Sequence, residues 1–375
     1  MRFTTRLICI LTAMAAVNAA QADEVTVGGL PPVVVNRTGS GDPKKLEFLS
    51  MTFLPGRGFE VFQITGNVPG LGETNLLDSP DVSVAAQKLN GEGDDYMGNL
   101  NHSFGATFLV PFALRLSGDV SEDKKTVTAH WHGKPIVLPN DYLGHYAVHG
   151  LINQMHVEDV KVADTRDGKV ITAVLHAGDF GGYWLSKTDV HYKITLTGDA
   201  VDVQVTATNV GDVEEPMGMG WHPFLKIPSG DRSQARLHIP AATISATTGD
   251  GMPTGQLDPV AGTDHDLQSP DGAVLPPRSL NLNFNTLTRT NGAVESWMID
   301  PKSNYGIKVR GISPEMHSVQ LWSAGNGSFM AVEPEFNYND SLGPEWQGTD
   351  TGIVTLKPGQ STTWHSRLEL FTPKP

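Results

Sequence analysis

An all-β fold, a large and mainly antiparallel sandwich, is what the sequence predicts, and three observations predict it. Short runs of alternating polarity recur along the chain, separated by the turn residues Gly, Asp, Asn and Pro. No window of a dozen residues sustains apolar positions at i, i+3, i+4 and i+7 without an intervening Gly or Pro. Crossover helices are therefore not visible, and neighbouring strands should pair antiparallel. Finally, 40 glycines and 25 prolines in 375 residues supply the punctuation that many short strands need.

Taken from the N-terminus, the first element is a leader rather than part of the fold. Arg2 and Arg6 precede an apolar stretch at 7–17, and Ala20-Gln21-Ala22 forms a small-residue cleavage site before Asp23. This stretch of eleven residues falls short of the roughly 18 that span a bilayer. The expectation is a signal peptide over 1–22 and a periplasmic or secreted product with no membrane attachment. Cys9, the single cysteine, lies inside that leader, so the mature chain has no thiol and no disulfide or Cys-rich metal site.

A Pro-, Gly- and Asp-rich lead-in covers 28–43. Strands follow at 169–175 and 188–196; Thr197-Gly198-Asp199 turns the latter back, and Val201, Val203 and Val205 share one face of its hairpin partner. Further alternating runs lie at 235–239, 305–309, 318–322 and 362–371. No second linker, low-complexity segment or fixed-period repeat interrupts them. The expectation is a single β-sandwich domain over 23–375.

Charge excludes one class of partner. With 41 acidic against 27 basic residues the formal charge is −14, and loss of Arg2 and Arg6 makes it −16; phosphate-backbone binding requires the opposite sign. Nucleic acid is not expected. H-E-x-x-H, G-x-S-x-G and phosphate-cradling Gly motifs do not occur. His130-Trp131-His132 sets two imidazoles on one strand face, a chelating spacing without a nearby third ligand, and Thr263-Asp264-His265-Asp266 reads as a polar loop, so no metal is expected.

Four segments place reactive groups where apolar ones are the rule. Arg115 ends the apolar run 108–114; His149-Gly150 closes a loop in which glycine would admit a ligand to the backbone; His222 stands between Trp221 and Phe224, with Pro223 marking a strand end; Glu333 ends the apolar strand 329–332. A carboxylate so placed finds a partner or has its pKa raised, as a general base near neutrality requires. Singly, each has an ordinary reading: a snorkelling arginine, a loop histidine, a hydrogen-bonded core histidine, a strand-end charge.

Their order along the chain resembles the aldose 1-epimerases, or galactose mutarotases. The likeness runs from about Val34 to the C-terminus, through GATFLVPFALRLSG (105–118), GKPIVLPNDYLGHYAVHG (133–150), VDVQVTATNVGDVEEPMGMGWHPFLKIP (201–228), GMPTGQLDPVAGTDHDL (251–267) and FMAVEPEFNYND (329–340). The resemblance implies a mutarotase-like supersandwich that interconverts the anomers of a free aldose without a cofactor. It implies Glu333 as base, His222 as acid and His149 as a third catalytic group, with Arg115 and Asn281 on sugar hydroxyls. Trp221 and Trp322 are candidates for the aromatic face of the sugar site, core packing being the alternative for either. Leu114 stands where the family has asparagine and Asn281 where it has aspartate; Asn337, Asn339 and Asp340 also depart, which points to a remodelled pocket rim. Two alternatives stay open: a non-catalytic exported sugar-binding protein, or another carbohydrate-active enzyme on this fold, for which Glu335 or Asp340 could serve as a second carboxylate.

Overall fold

The computed structural model describes residues 25–373; the leader, its cleavage point and Cys9 lie outside the described residues. Two large antiparallel sheets dominate. The sheet that carries the site contains β1 (Glu60–Val68), β2 (Ala106–Leu109), β3 (Gly220–Lys226), β4 (Leu280–Leu287), β5 (Ser318–Ser323) and β6 (Phe329–Glu335). Its middle runs β1-β2-β3-β6-β5-β4 in space. The second sheet holds the expected hairpin, Thr188–Thr197 with Ala200–Asn209 and Leu196 opposite Val201, and continues through Ser361–Phe371 to Tyr305–Gly311. Strand Val33–Asn36 adds to the first sheet within the stretch read as a lead-in. Among the described residues no helix is long and apolar enough to cross a membrane.

Period-2 alternation divides each central strand between two faces. Phe108, Trp221, Val332, Val319 and Leu321 belong to the buried cluster between the sheets, where Trp221 and Phe108 meet Trp364 and Tyr192 of the opposite sheet. Trp364 Nε1 donates to Pro334 O at 3.0 Å and Tyr192 Oη to Gly58 O at 3.2 Å, so even the polar tips of these anchors are satisfied. The alternate residues, Thr107, His222, Glu333, Gln320 and Asn283, come into line across β2, β3, β6, β5 and β4 on the other face.

Pro223 does not end its strand, contrary to the sequence reading. The ladder between β3 and β6 pairs Gly220 with Glu335 and Phe224 with Ala331. In register between them, His222 lies opposite Glu333. Pro223 and Pro334 have no N–H to give, so two donors are missing where this ladder lapses. Both strands instead keep pairing with their outer neighbours, His222 with Thr107 and Glu333 with Gln320.

Candidate active site

A cavity of about 250 Å³ opens over that row, lined by Asn99, His102, Ser103, Leu114, Arg115, Tyr142, Val148, His149, His222, Asn281, Gln320, Trp322 and Glu333. A wider depression of about 490 Å³ over the turns near 164–169 and 197–199 holds no comparable cluster. Six of the seven expected site residues line the first cavity.

His222 Nε2 is 3.3 Å from Glu333 Oε1, but neither Glu333 oxygen accepts an aligned hydrogen bond. Burial pushes the Glu333 carboxyl well above the usual range, and the neighbouring Glu335 pushes it further; burial brings His222 down to about 4. The separation is of ion-pair length, yet burial disfavours the charged form of each, raising the carboxyl and lowering the imidazole. His149 packs edge-on to His222, ring centroids 5.3 Å apart. Burial, and then His102, hold its pKa well below the ordinary value.

His149 has φ +57, a left-handed conformation that strains a non-glycine residue. Hydrogen bonds overrule the strain: His149 N donates to Leu114 O at 2.8 Å and Leu151 N to Val110 O at 2.8 Å. The expected role of Gly150 is corrected here. A Cβ on Gly150 would stand 2.3 Å from Val110 O, so the glycine admits the chain's own backbone rather than a ligand.

Arg115 pairs with Val148 in a two-stranded ribbon, and its Nη1 donates to Gly251 O at 3.0 Å and Asp250 O at 3.3 Å. The guanidinium lies 5.2 Å from the Tyr142 ring centre. Asn337, Asn339 and Asp340 do not form the rim; they pin the Arg115 segment from beneath. Asn337 brackets Ala113 with bonds of 3.1 and 2.9 Å, Asn339 Oδ1 accepts from Arg115 N at 3.2 Å, and Asp340 Oδ1 accepts from Ser117 N at 2.8 Å.

Asn281 Oδ1 accepts from Gln320 Nε2 at 2.5 Å, making an amide pair on the cavity wall. Trp322 also lines the cavity, supported by Phe329 at 5.9 Å and Phe224 at 5.9 Å between centroids. Trp221 does not belong to the site. It is fully buried on the opposite face and donates Nε1–H to Ala106 O at 3.0 Å. One residue from His222 along a strand, it could not share that face.

His149, His222 and Glu333 bring potential ligand atoms within 4.8 Å of one another. Bonds of 2.0–2.1 Å to a tetrahedral ion would require spacings of about 3.4 Å, so these side chains would have to contract around a metal. The His130/His132 chelate spacing is not realised. The strand ends at Trp131, and His132 enters the turn with φ +49 and stacks on the Trp131 ring at 4.1 Å. Asp264 is paired with Arg278.

Sequence reasoning missed Asn99, His102, Ser103, Tyr142 and Gln320. Gln320 was within reach, two residues before Trp322 on an expected strand. The segment Gly93–Ser103, which supplies the first three, has no period to read: four of its residues leave helical geometry, and Met97 and Gly98 take positive φ.

The aldose 1-epimerase family model matches residues 83–369, about three quarters of the chain. No curated protein matches. Among solved structures, a galactose mutarotase-like protein from Clostridium acetobutylicum superposes with TM-score 0.71 at 17% identity, over 91% of this chain and 99% of that one. An aldose epimerase homologue from C. elegans gives 0.66 at 13%, over 92% and 100%. Galactose 1-epimerase from Lactobacillus acidophilus gives 0.62 at 16%, over 92% and 99%. At these identities the likeness establishes the fold.

Proposed function

This chain belongs to the aldose 1-epimerase family, and from that premise we propose that it interconverts the α and β anomers of a free aldose. The observation that carries the reading is the His222–Glu333 pair, two proton carriers on facing strands 3.3 Å apart inside a cavity of about 250 Å³. Glu333 takes the proton of the C1 hydroxyl. As C1=O forms, the C1–O5 bond breaks and His222 delivers its proton to O5. Rotation about C1–C2 and the reverse transfers close the other anomer. His149 and Arg115 hold sugar hydroxyls in register, and His149 can share the acid role.

The working arrangement, Glu333 ionised and His222 protonated, has the same proton count as the neutral pair. It is reached by a transfer across 3.3 Å, without exchange with solvent. Glu333 is the only carboxylate among the lining residues, whereas glycoside cleavage usually takes two across the sugar. Glu335 sits behind it, bonded by Ser318 Oγ at 3.2 Å, and Asp340 is engaged by Ser117. Arg115 is the only arginine or lysine in the lining, which speaks against a sugar phosphate.

Polarimetry of freshly dissolved α-D-glucose and α-D-galactose tests the proposal. The purified chain accelerates the approach to anomeric equilibrium, and His222→Asn removes most of that acceleration. With one proton on the pair as the active form, kcat holds a plateau and falls as pH drops through about 4, where burial has set His222. It falls again as pH climbs through the raised pKa of Glu333 and the pair loses that proton. Sugar binding at an unaltered buffer rate of anomerisation, across a panel of aldoses, would favour a binding protein and end this reading.

A further inference from the structure

A third histidine stands in the cavity that the reaction above does not use. His102 comes from the irregular segment 93–103, and its ring packs 4.6 Å from that of His149, at 66°. His102 Nε2 lies 2.9 Å from Asn153 Nδ2, which donates to it. With the Asn153 amide in this orientation Nε2 accepts, and the ring proton belongs on Nδ1. That nitrogen has no protein partner among the described residues and, unlike Nδ1 of His149 and of His222, it is not sealed from solvent.

The frame behind this ring is built to hold it. Asn101 Nδ2 donates to the backbone oxygens of Arg57 at 3.4 Å and Asn153 at 3.3 Å, while its Oδ1 accepts from Arg57 Nε at 2.8 Å. Arg57 Nη2 is paired with Asp95 Oδ1 at 2.6 Å, both groups buried. Gly98, with φ +81, would carry a Cβ 2.6 Å from the Asn153 Cβ, so only glycine lets the segment close onto Asn153. A surface loop needs no such frame. A side chain that must present one nitrogen at a fixed place does.

We propose that His102 is a substrate-contacting residue whose Nδ1–H donates to a hydroxyl of the bound aldose. The same ring, pressed edge-on to His149, fixes that imidazole against the sugar. This inference rests on the anomerase reading for its substrate class, but its tests include direct sugar binding.

Two isosteres separate the contact from the support. His102→Asn keeps an amide N–H near the Nδ1 position; His102→Gln keeps a polar group near Nε2, toward Asn153. In the full chain, His102→Ala is expected to raise KM, and the calorimetric Kd for the aldose, roughly tenfold, the loss of about one hydrogen bond. Asn restores most of this and Gln does not. Nitrogen-15 correlation spectra of the histidine-labelled protein place the His102 proton on Nδ1. Rescue by Gln rather than Asn, a lowered melting temperature with KM and Kd unmoved, or a proton on Nε2 overturns the proposal. If His102→Ala weakens sugar binding as stated while the unmodified chain leaves the anomerisation rate at the buffer value, the contact stands and the anomerase reading falls. If the unmodified chain binds no aldose, both fall.

Discussion

Glu333→Gln lowers kcat for anomer exchange by roughly 10²–10⁴-fold, the usual contribution of one positioned acid or base, while the protein stays folded. The amide matches the carboxyl in shape but cannot take up the C1 proton. Ground-state contacts to the sugar survive, so KM moves far less than kcat. Stability shifts the other way. Glu333 is fully buried, and neither oxygen accepts an aligned hydrogen bond from the protein. Burial raises its pKa in the folded state above the unfolded value, which for a carboxyl means the charged form opposes folding. Its favourable contribution is complete below the unfolded pKa and is lost as pH climbs through the raised folded one. The Gln variant has nothing to ionise, so its melting temperature relative to the unmodified protein should rise between pH 5 and pH 8. Unchanged turnover, or a variant several degrees less stable at pH 8, contradicts the assignment of this carboxyl.

How much of this could be read beforehand depended on whether a local period existed. The strand at 318–322 alternates cleanly, and its observed counterpart, Ser318–Ser323, turns Gln320 and Trp322 to the cavity and Val319 and Leu321 to the core. Gly220–Lys226 shows no such contrast, because the four of its first six residues other than Gly220 and His222 are apolar and give no polar side to choose, and all six are buried. Which of Trp221 and His222 faced the cavity was therefore open, although their adjacency already said that both could not. Pro223 misled for a different reason. The rule that proline ends a central strand assumes a ladder on both edges, and here the ladder toward β6 lapses beside Pro223 and Pro334 while outer pairings continue.

Long-range supports were the least legible. Asn337 braces Ala113 across 224 positions of sequence, and Arg57 reaches Asn101 across 44. Neither relation leaves a spacing signal, since a side-chain amide or guanidinium reads the same on a surface as in a buried network. Arg115 and Glu333 announced themselves by standing at the ends of apolar runs, and His222 by standing between two aromatics. His102 stood in a polar, aperiodic stretch, and only the fold brings it beside His149.

The largest expected loss of stability comes from that hidden frame. Arg57→Met removes the cation from a pair in which Arg57 is 2% and Asp95 0% exposed. Breaking one side of a buried ion pair typically costs about 3–5 kcal/mol, because the remaining charge stays desolvated. Asp95 keeps hydrogen bonds from Gly91 N at 2.6 Å and Leu100 N at 3.2 Å, which soften the loss without neutralising the carboxylate. Glu60 sharpens it: this buried carboxyl, already raised by burial, feels Arg57 as its one stabilising charge, with Asp95 acting against it. Chemical denaturation should therefore show a midpoint well below that of the unmodified chain. Adding Asp95→Asn to Arg57→Met removes the orphaned charge; Gly91 N and Leu100 N bond separate oxygens of Asp95, so the amide keeps one of the two bonds and should recover part of the loss. Sugar affinity separates the two uses of the frame: the double variant regains part of the stability but still lacks the Arg57–Asn101 bond behind Asn153, so its KM stays above that of the unmodified protein. A single variant within 1 kcal/mol of the unmodified chain, or a double variant no better than the single, would mean that the pair is not what holds the 93–103 segment against the site.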